Sequence, residues 1–215
     1  MEFIDIPTEQ TTAVTDAILA LLSLGCALYL HRIGTHKRWK ANVWIGLFGL
    51  LTVAAVFGTI AHGFKMSAWW NNLFWQPLFL SLGLVVALFV VAVVYDAWGK
   101  AAARRILPIM LAVGVIFYSI TVLVPGLFLV FIVYQSTATL FALVIYGRLT
   151  WRGKLPGAGW MTLGIFITMV AAVVQATGSL TITVIWPFDY NGLYHLIQMA
   201  GLLALLTGLR KDLRA

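Results

Sequence analysis

Asp16, His62 and His195 are ionisable side chains standing inside stretches that are otherwise apolar. In hydrocarbon such groups are costly and commonly serve to bind an ion, a proton or a ligand. Asn191, His195 and Gln198 lie at i−4, i and i+3, on one helix face. With Gln175 and Gln135 they describe a polar pocket opening outward. Other uses of these residues stay open. Two histidines on different helices can ligate haem, and a titrating histidine can report pH. Asp16 or Asn191 can cap a helix, and Gln135 or Gln175 can simply bond between helices.

The elements that must position these groups are membrane-spanning helices. The chain is 62% hydrophobic and only 10% charged, far from a soluble domain. Apolar runs cover 13–31, 42–62, 73–96, 106–124, 126–147, 157–179 and 190–209, each near the ~20 residues that a helix needs to cross ~30 Å. Thirteen of the 14 Lys and Arg residues follow the odd-numbered runs, and Lys65 alone falls on the other side. Short basic loops stay cytoplasmic. The expected protein is therefore an all-α integral membrane protein of seven transmembrane helices, N-terminus outside and C-terminus inside, multi-pass in the plasma (inner) membrane. Residues 1–12 form a short outer segment, 13–209 the membrane domain and 210–215 a cytoplasmic tail. Trp39, Trp44, Trp98 and Trp151 are expected at the inner interface, and Trp69, Trp70, Trp75 and Trp186 at the outer one. On this frame Asp16, His62 and His195 share a depth in the outer leaflet, with the first and last spans as neighbours.

The net charge of +7 is orientation charge, aided by anionic inner-leaflet lipid, and needs no nucleic acid. Cys26 is the only cysteine, which excludes a disulfide within the chain. No basic segment precedes the first run and no small-residue cleavage site follows it, so no removable signal peptide is expected. Asp96, Arg104 and Arg105 sit at a span end and a loop, where topology or a surface ion pair is their expected role. Ionisable residues thus do not continue to the inner face, which argues against a proton-coupled carrier.

Phe57-Gly58-Thr59-Ile60-Ala61-His62-Gly63-Phe64 and Asn191-Gly192-Leu193-Tyr194-His195 resemble the second- and seventh-helix signatures of the alkaline ceramidase and adiponectin-receptor superfamily. They are closer still to those of an uncharacterised family of bacterial seven-helix proteins. The resemblance implies a zinc ion and hydrolysis of a lipid amide or ester, with membrane lipid and a small lipid substrate as partners. A catalytic zinc uses three protein ligands and one water, so His62 and His195 would be joined by Asp16, with Asp189 as the alternative third ligand. Zinc held by His62, His195 and Asp16 would lower the pKa of its water toward ~7 and polarise the carbonyl, and Thr59 or Tyr118 would donate to the developing oxyanion. The chain departs from the pattern in three places. Gly58 stands where the superfamily has Ser, Asn191 stands where it has the first histidine of the last helix, and no Asp occupies the outer half of span three. Asn191 and Gly58 in place of catalytic types favour the alternative, a non-catalytic receptor or sensor that binds a small ligand or lipid, or reports external pH, in the same pocket.

Overall fold

The computed structural model describes residues 2–124 and 128–215; Pro125 and the expected start of span five at residue 126 lie outside the described residues. Six helices make up most of the described chain: α1 (Pro7–Ile33), α2 (Arg38–Gly63), α3 (Ala68–Leu123), α4 (Phe128–Trp151), α5 (Ala158–Ala176) and α6 (Tyr190–Arg214). Each contains a stretch long and apolar enough to cross a membrane. Two short antiparallel pairs cap one end. Strand β1 (Glu2–Phe3) pairs with β2 (Phe64–Lys65), and β3 (Ile182–Thr183) pairs with β4 (Pro187–Phe188).

Seven spans were expected and six helices are found, because spans three and four are joined in α3. The junction is rich in Ala, Lys and Arg, all good helix formers, so helix runs up to Gly99 and resumes directly after it. Gly99 itself has φ 84° and ψ 176°, a conformation that a side chain would strain. The helix folds back at this residue. A Cβ built on Gly83 would lie 2.7 Å from the carbonyl oxygen of Gly114, and one on Gly114 would lie 2.9 Å from that of Gly83. A straight helix would separate these two glycines by ~46 Å. Pro77 and Pro108 both lie inside α3, where each lacks the N–H that an ordinary residue would donate to the preceding turn. At the other end of the chain, α6 runs to Arg214, so the expected tail is almost wholly helical.

The helices close into a ring. α1 packs on α2 and α6, and successive neighbours complete the circle from α2 through α3, α4 and α5 to α6. The expected adjacency of the first and last helices is therefore present. α5 and α6 approach through small residues: a Cβ on Gly164 would lie 2.8 Å from the Gly201 carbonyl oxygen. Without a hydrophobic drive between helices in lipid, such backbone contact gives association by dispersion.

Burial is inverted relative to a soluble bundle. On α1, Val14, Ile18, Leu21 and Leu28 are exposed, while Thr12, Thr15, Asp16 and Ser23 are buried. Apolar side chains cover the outside, and the scarce polar ones turn inward. Trp69, Trp70, Trp98, Trp151 and Trp186 are exposed, and Trp39 and Trp75 are half-buried. Trp44 is not among them. It is fully buried in the core beside Phe48 and Phe89, because its helix face points into the ring rather than toward lipid.

Candidate functional site

One face of α1 organises the end of the ring that lies away from most basic residues. Glu9 and Asp16 are seven residues apart, which places them two turns apart on one face, with Thr12 and Thr15 between them. Glu9 Oε2 meets Nδ1 of His62 on α2 at 2.6 Å. Asp16 Oδ1 meets Nε2 of His195 on α6 at 3.3 Å. Two imidazole–carboxylate pairs thus tie α1 to both of its neighbours. The Glu9–His62 pair lies nearer the surface: Glu9 is 31% exposed, against 6% for Asp16.

Three further groups fix this arrangement. Gly58 of α2 faces the Asp16 carboxylate so closely that a Cβ there would lie 2.6 Å from Oδ2 and 2.9 Å from Cγ. The glycine is the space that the carboxylate fills. Asp189 caps α6, accepting from the Gly192 N–H and from the Thr12 hydroxyl, each at 2.8 Å. The cap is therefore Asp189 rather than Asn191. Finally, the Thr15 hydroxyl lies 2.9 Å from the Thr12 carbonyl and 3.0 Å from His195 Nδ1.

That last contact carries proton bookkeeping. A carbonyl only accepts, and a hydroxyl has one proton to give. If Thr15 donates to Thr12, His195 Nδ1 must be the donor to Thr15, and the Nε2–Asp16 contact then needs a second proton of its own. If Thr15 donates to Nδ1, a neutral imidazole suffices, with its N–H on Nε2 facing Asp16. The two arrangements occupy the same heavy-atom positions and differ by one proton.

The other expected site residues are dispersed. Thr59 donates to the Ala55 carbonyl of its own helix at 2.8 Å. Tyr118 lies on α3 beyond Gly99, and α3 as a whole packs chiefly on α2 and α4 rather than on the helices that carry Asp16 and His195. Gln175 and Asn191 bond to each other at 3.3 Å. Gln135 and Gln198 do come together, but deep in the ring. They line a cavity of about 80 Å³ with Tyr194, Thr139, Thr168 and Trp44. Among the described residues, no three His, Cys, Asp or Glu side chains form a group that could hold a metal ion. His62 and His195 instead each face a different carboxylate.

The basic end holds a second polar centre that the sequence reading placed at the surface. Lys40 of α2 is 1% exposed and contacts Asp96 Oδ1 at 2.5 Å and Asp212 Oδ2 at 2.8 Å. Tyr146 of α4 donates to Asp96 Oδ2 at 2.7 Å. Lys37 reaches the other oxygen of Asp212 at 3.0 Å and its backbone carbonyl at 2.7 Å. Asp96 is therefore half of a buried ion pair rather than a surface one. Its neighbours come from α2, α3, α4 and α6, so the network joins four helices. The sequence did hold a signal: Asp96 and Asp212 are the only carboxylates on the basic side of the chain.

A family model matches residues 11–214, and its description is a family of unknown function, DUF6962. It covers nearly the whole chain, which therefore belongs to that family. No curated protein matches the chain, and no solved structure does.

Proposed function

We propose that this member of the DUF6962 family is a proton-responsive membrane sensor whose two imidazole–carboxylate pairs clamp α1 between α2 and α6. In this reading the chain crosses the plasma membrane seven times, with the N-terminus outside. Each arm of α3 makes one crossing, and the turn at Gly99 sits among the cytoplasmic basic residues. The distribution of Lys and Arg supports that orientation. The fold-back that brings Gly83 onto Gly114 supports two crossings by α3.

The observation that carries the proposal is the Thr12–Thr15–His195–Asp16 arrangement, which accommodates two protonation states on one set of atoms. Histidine is the side chain whose ordinary change of charge falls between about pH 5 and 8. Because both carboxylates sit on α1 and both imidazoles on its neighbours, that change acts between helices. External acid or base then alters how tightly α1 is held. The test is the distance between spin labels on the outer ends of α1 and α6, measured in nanodiscs as external pH is varied. A pH-dependent distance is expected in the native chain, with the dependence lost in Asp16→Asn and Glu9→Gln. A distance independent of pH in the native chain overturns the proposal.

The metal-dependent lipid hydrolase reading asks more of the site. It needs His62, His195 and Asp16 around one zinc, whereas His62 faces Glu9. It also needs Thr59 and Tyr118 turned toward the reacting carbonyl. Elemental analysis separates the readings: about one zinc per chain, lost in both His62→Ala and His195→Ala, supports the hydrolase and counts against the sensor.

A further inference from the structure

The cavity lies between the two charged centres, one helical turn from each. Gln198, on its wall, follows His195 by three residues on α6, ~4.5 Å along the axis. Trp44, also on its wall, follows Lys40 by four residues on α2, ~6 Å along the axis. The charged centres themselves are far apart: His195 and Asp212 are separated along α6 by seventeen residues, ~25 Å. The cavity thus occupies much of the only apolar stretch between them on α6.

Its lining is mostly hydrocarbon, but the polar groups on it are incompletely paired. Gln198 Oε1 and Trp44 Nε1 are buried without a hydrogen-bond partner among the described residues. One is an acceptor near the outer pair, and the other is a donor near the inner network. Buried polar atoms of this kind are usually satisfied by ordered water, which needs room and two or more polar neighbours. The cavity gives the room. Gln135, Tyr194 and the hydroxyls of Thr139 and Thr168 give further polar neighbours.

We infer that the cavity is hydrated and completes a proton path through the ring, from the His195–Asp16 pair to the Lys40–Asp96–Asp212 network. The inference rests on the proton-binding reading of the outer site and adds transfer to it. A proton enters from outside past Glu9, His62 and Asp189 and is bound at His195 and Asp16. It passes by exchange of hydrogen bonds along water oriented by Gln198, Gln135 and Tyr194. It is taken up by Asp96 or Asp212, beside Lys40, Lys37, Tyr95 and Tyr146, and is released at the cytoplasmic face. Each passage moves one proton and one positive charge, and no other bond changes. Ionisable residues therefore do reach the inner face, contrary to the expectation from sequence, and Lys37, 35% exposed, marks the exit.

The test is proton flux into liposomes containing the full chain, with a pH dye inside and the membrane potential clamped by potassium and valinomycin. Flux about tenfold or more above protein-free liposomes is expected, and Gln198→Leu should reduce it about tenfold, the effect of ~1.4 kcal/mol on a barrier. Ala138→Leu, which fills the cavity from another helix, should do the same and guards against a folding defect peculiar to Gln198. Both variants should leave the protonation of His195 dependent on pH, read by isotope-labelled histidine resonances. Native flux equal to that of protein-free liposomes overturns the path while leaving the sensor standing. So does flux unchanged in both folded variants. Loss of the His195 response in the native chain removes the sensor as well.

Discussion

Gly58→Ala is the substitution whose outcome follows most directly from the geometry. The added Cβ would lie 2.6 Å from Asp16 Oδ2, 2.9 Å from Cγ and 3.0 Å from Oδ1. Ordinary contact begins near 3.4 Å, so the nearest oxygen must retreat by about 0.8 Å, the difference between 3.4 and 2.6. All three atoms of the carboxylate are too close, so a rotation that frees one oxygen does not free the group. Asp16 has a short side chain, and its helix is held on both sides. The strain must therefore move the carboxylate off His195 or push α1 from α2. Overpacking of this kind costs about 1–3 kcal/mol. Removing the obstacle should reverse the sign. In an Asp16→Ala background the three nearest obstacles are gone, and Gly58→Ala should gain up to about 1 kcal/mol from helix propensity. The assay is a double-mutant cycle on unfolding in detergent, followed by helical circular dichroism. A coupling above about 0.5 kcal/mol is expected between positions 16 and 58. Equal cost of Gly58→Ala in both backgrounds would refute the claim that this glycine exists to house the carboxylate.

Other expectations concern the rest of the framework. Lys40→Met leaves Asp96 and Asp212 without their shared buried cation and should destabilise the protein by about 3–5 kcal/mol in the same unfolding assay. Tyr146→Phe removes one hydrogen bond to a charged group and should cost about 1.5–3 kcal/mol. Asp189→Ala loses the cap of α6 together with the Thr12 contact, for a cost of about 1–2 kcal/mol, measured as a lower unfolding midpoint. Gly201→Leu should disrupt the seam between α5 and α6, where even a Cβ would lie 2.9 Å from Thr168 Oγ1; a lower thermal midpoint in detergent checks it.

Depth was legible in the sequence and direction around each helix was not. Run length and charge asymmetry placed the apolar segments within a few residues. They also placed Asp16 and His195 at one level on helices that prove to be neighbours. Hydropathy carries little azimuthal information when a helix is apolar on every side. Trp44 therefore read as an interfacial tryptophan, although its face points into the ring. Glu9 read as an outer-segment charge because helix α1 begins at Pro7, earlier than its apolar run. The stripe Glu9–Thr12–Thr15–Asp16 was nevertheless visible as a spacing. Lys40, Asp96 and Asp212 read as boundary charges for a different reason: only the packing of α2, α3 and α6 brings them together, and no spacing within one helix reports it. The continuity of α3 escaped notice because the residues around Gly99 suit both a loop and a helix.

The protonation of two particular histidines tests the central claim most directly. The chain has only four, His31 and His36 near the basic end and His62 and His195 at the other. Nitrogen resonances of isotope-labelled histidine in nanodiscs can therefore be assigned by His62→Gln and His195→Gln. The account expects His62 and His195 to change protonation as external pH is varied, with the His195 signal altered by Asp16→Asn and Thr15→Val, and the His62 signal by Glu9→Gln. Resonances of His62 and His195 that neither respond to pH nor notice loss of their partners would contradict it.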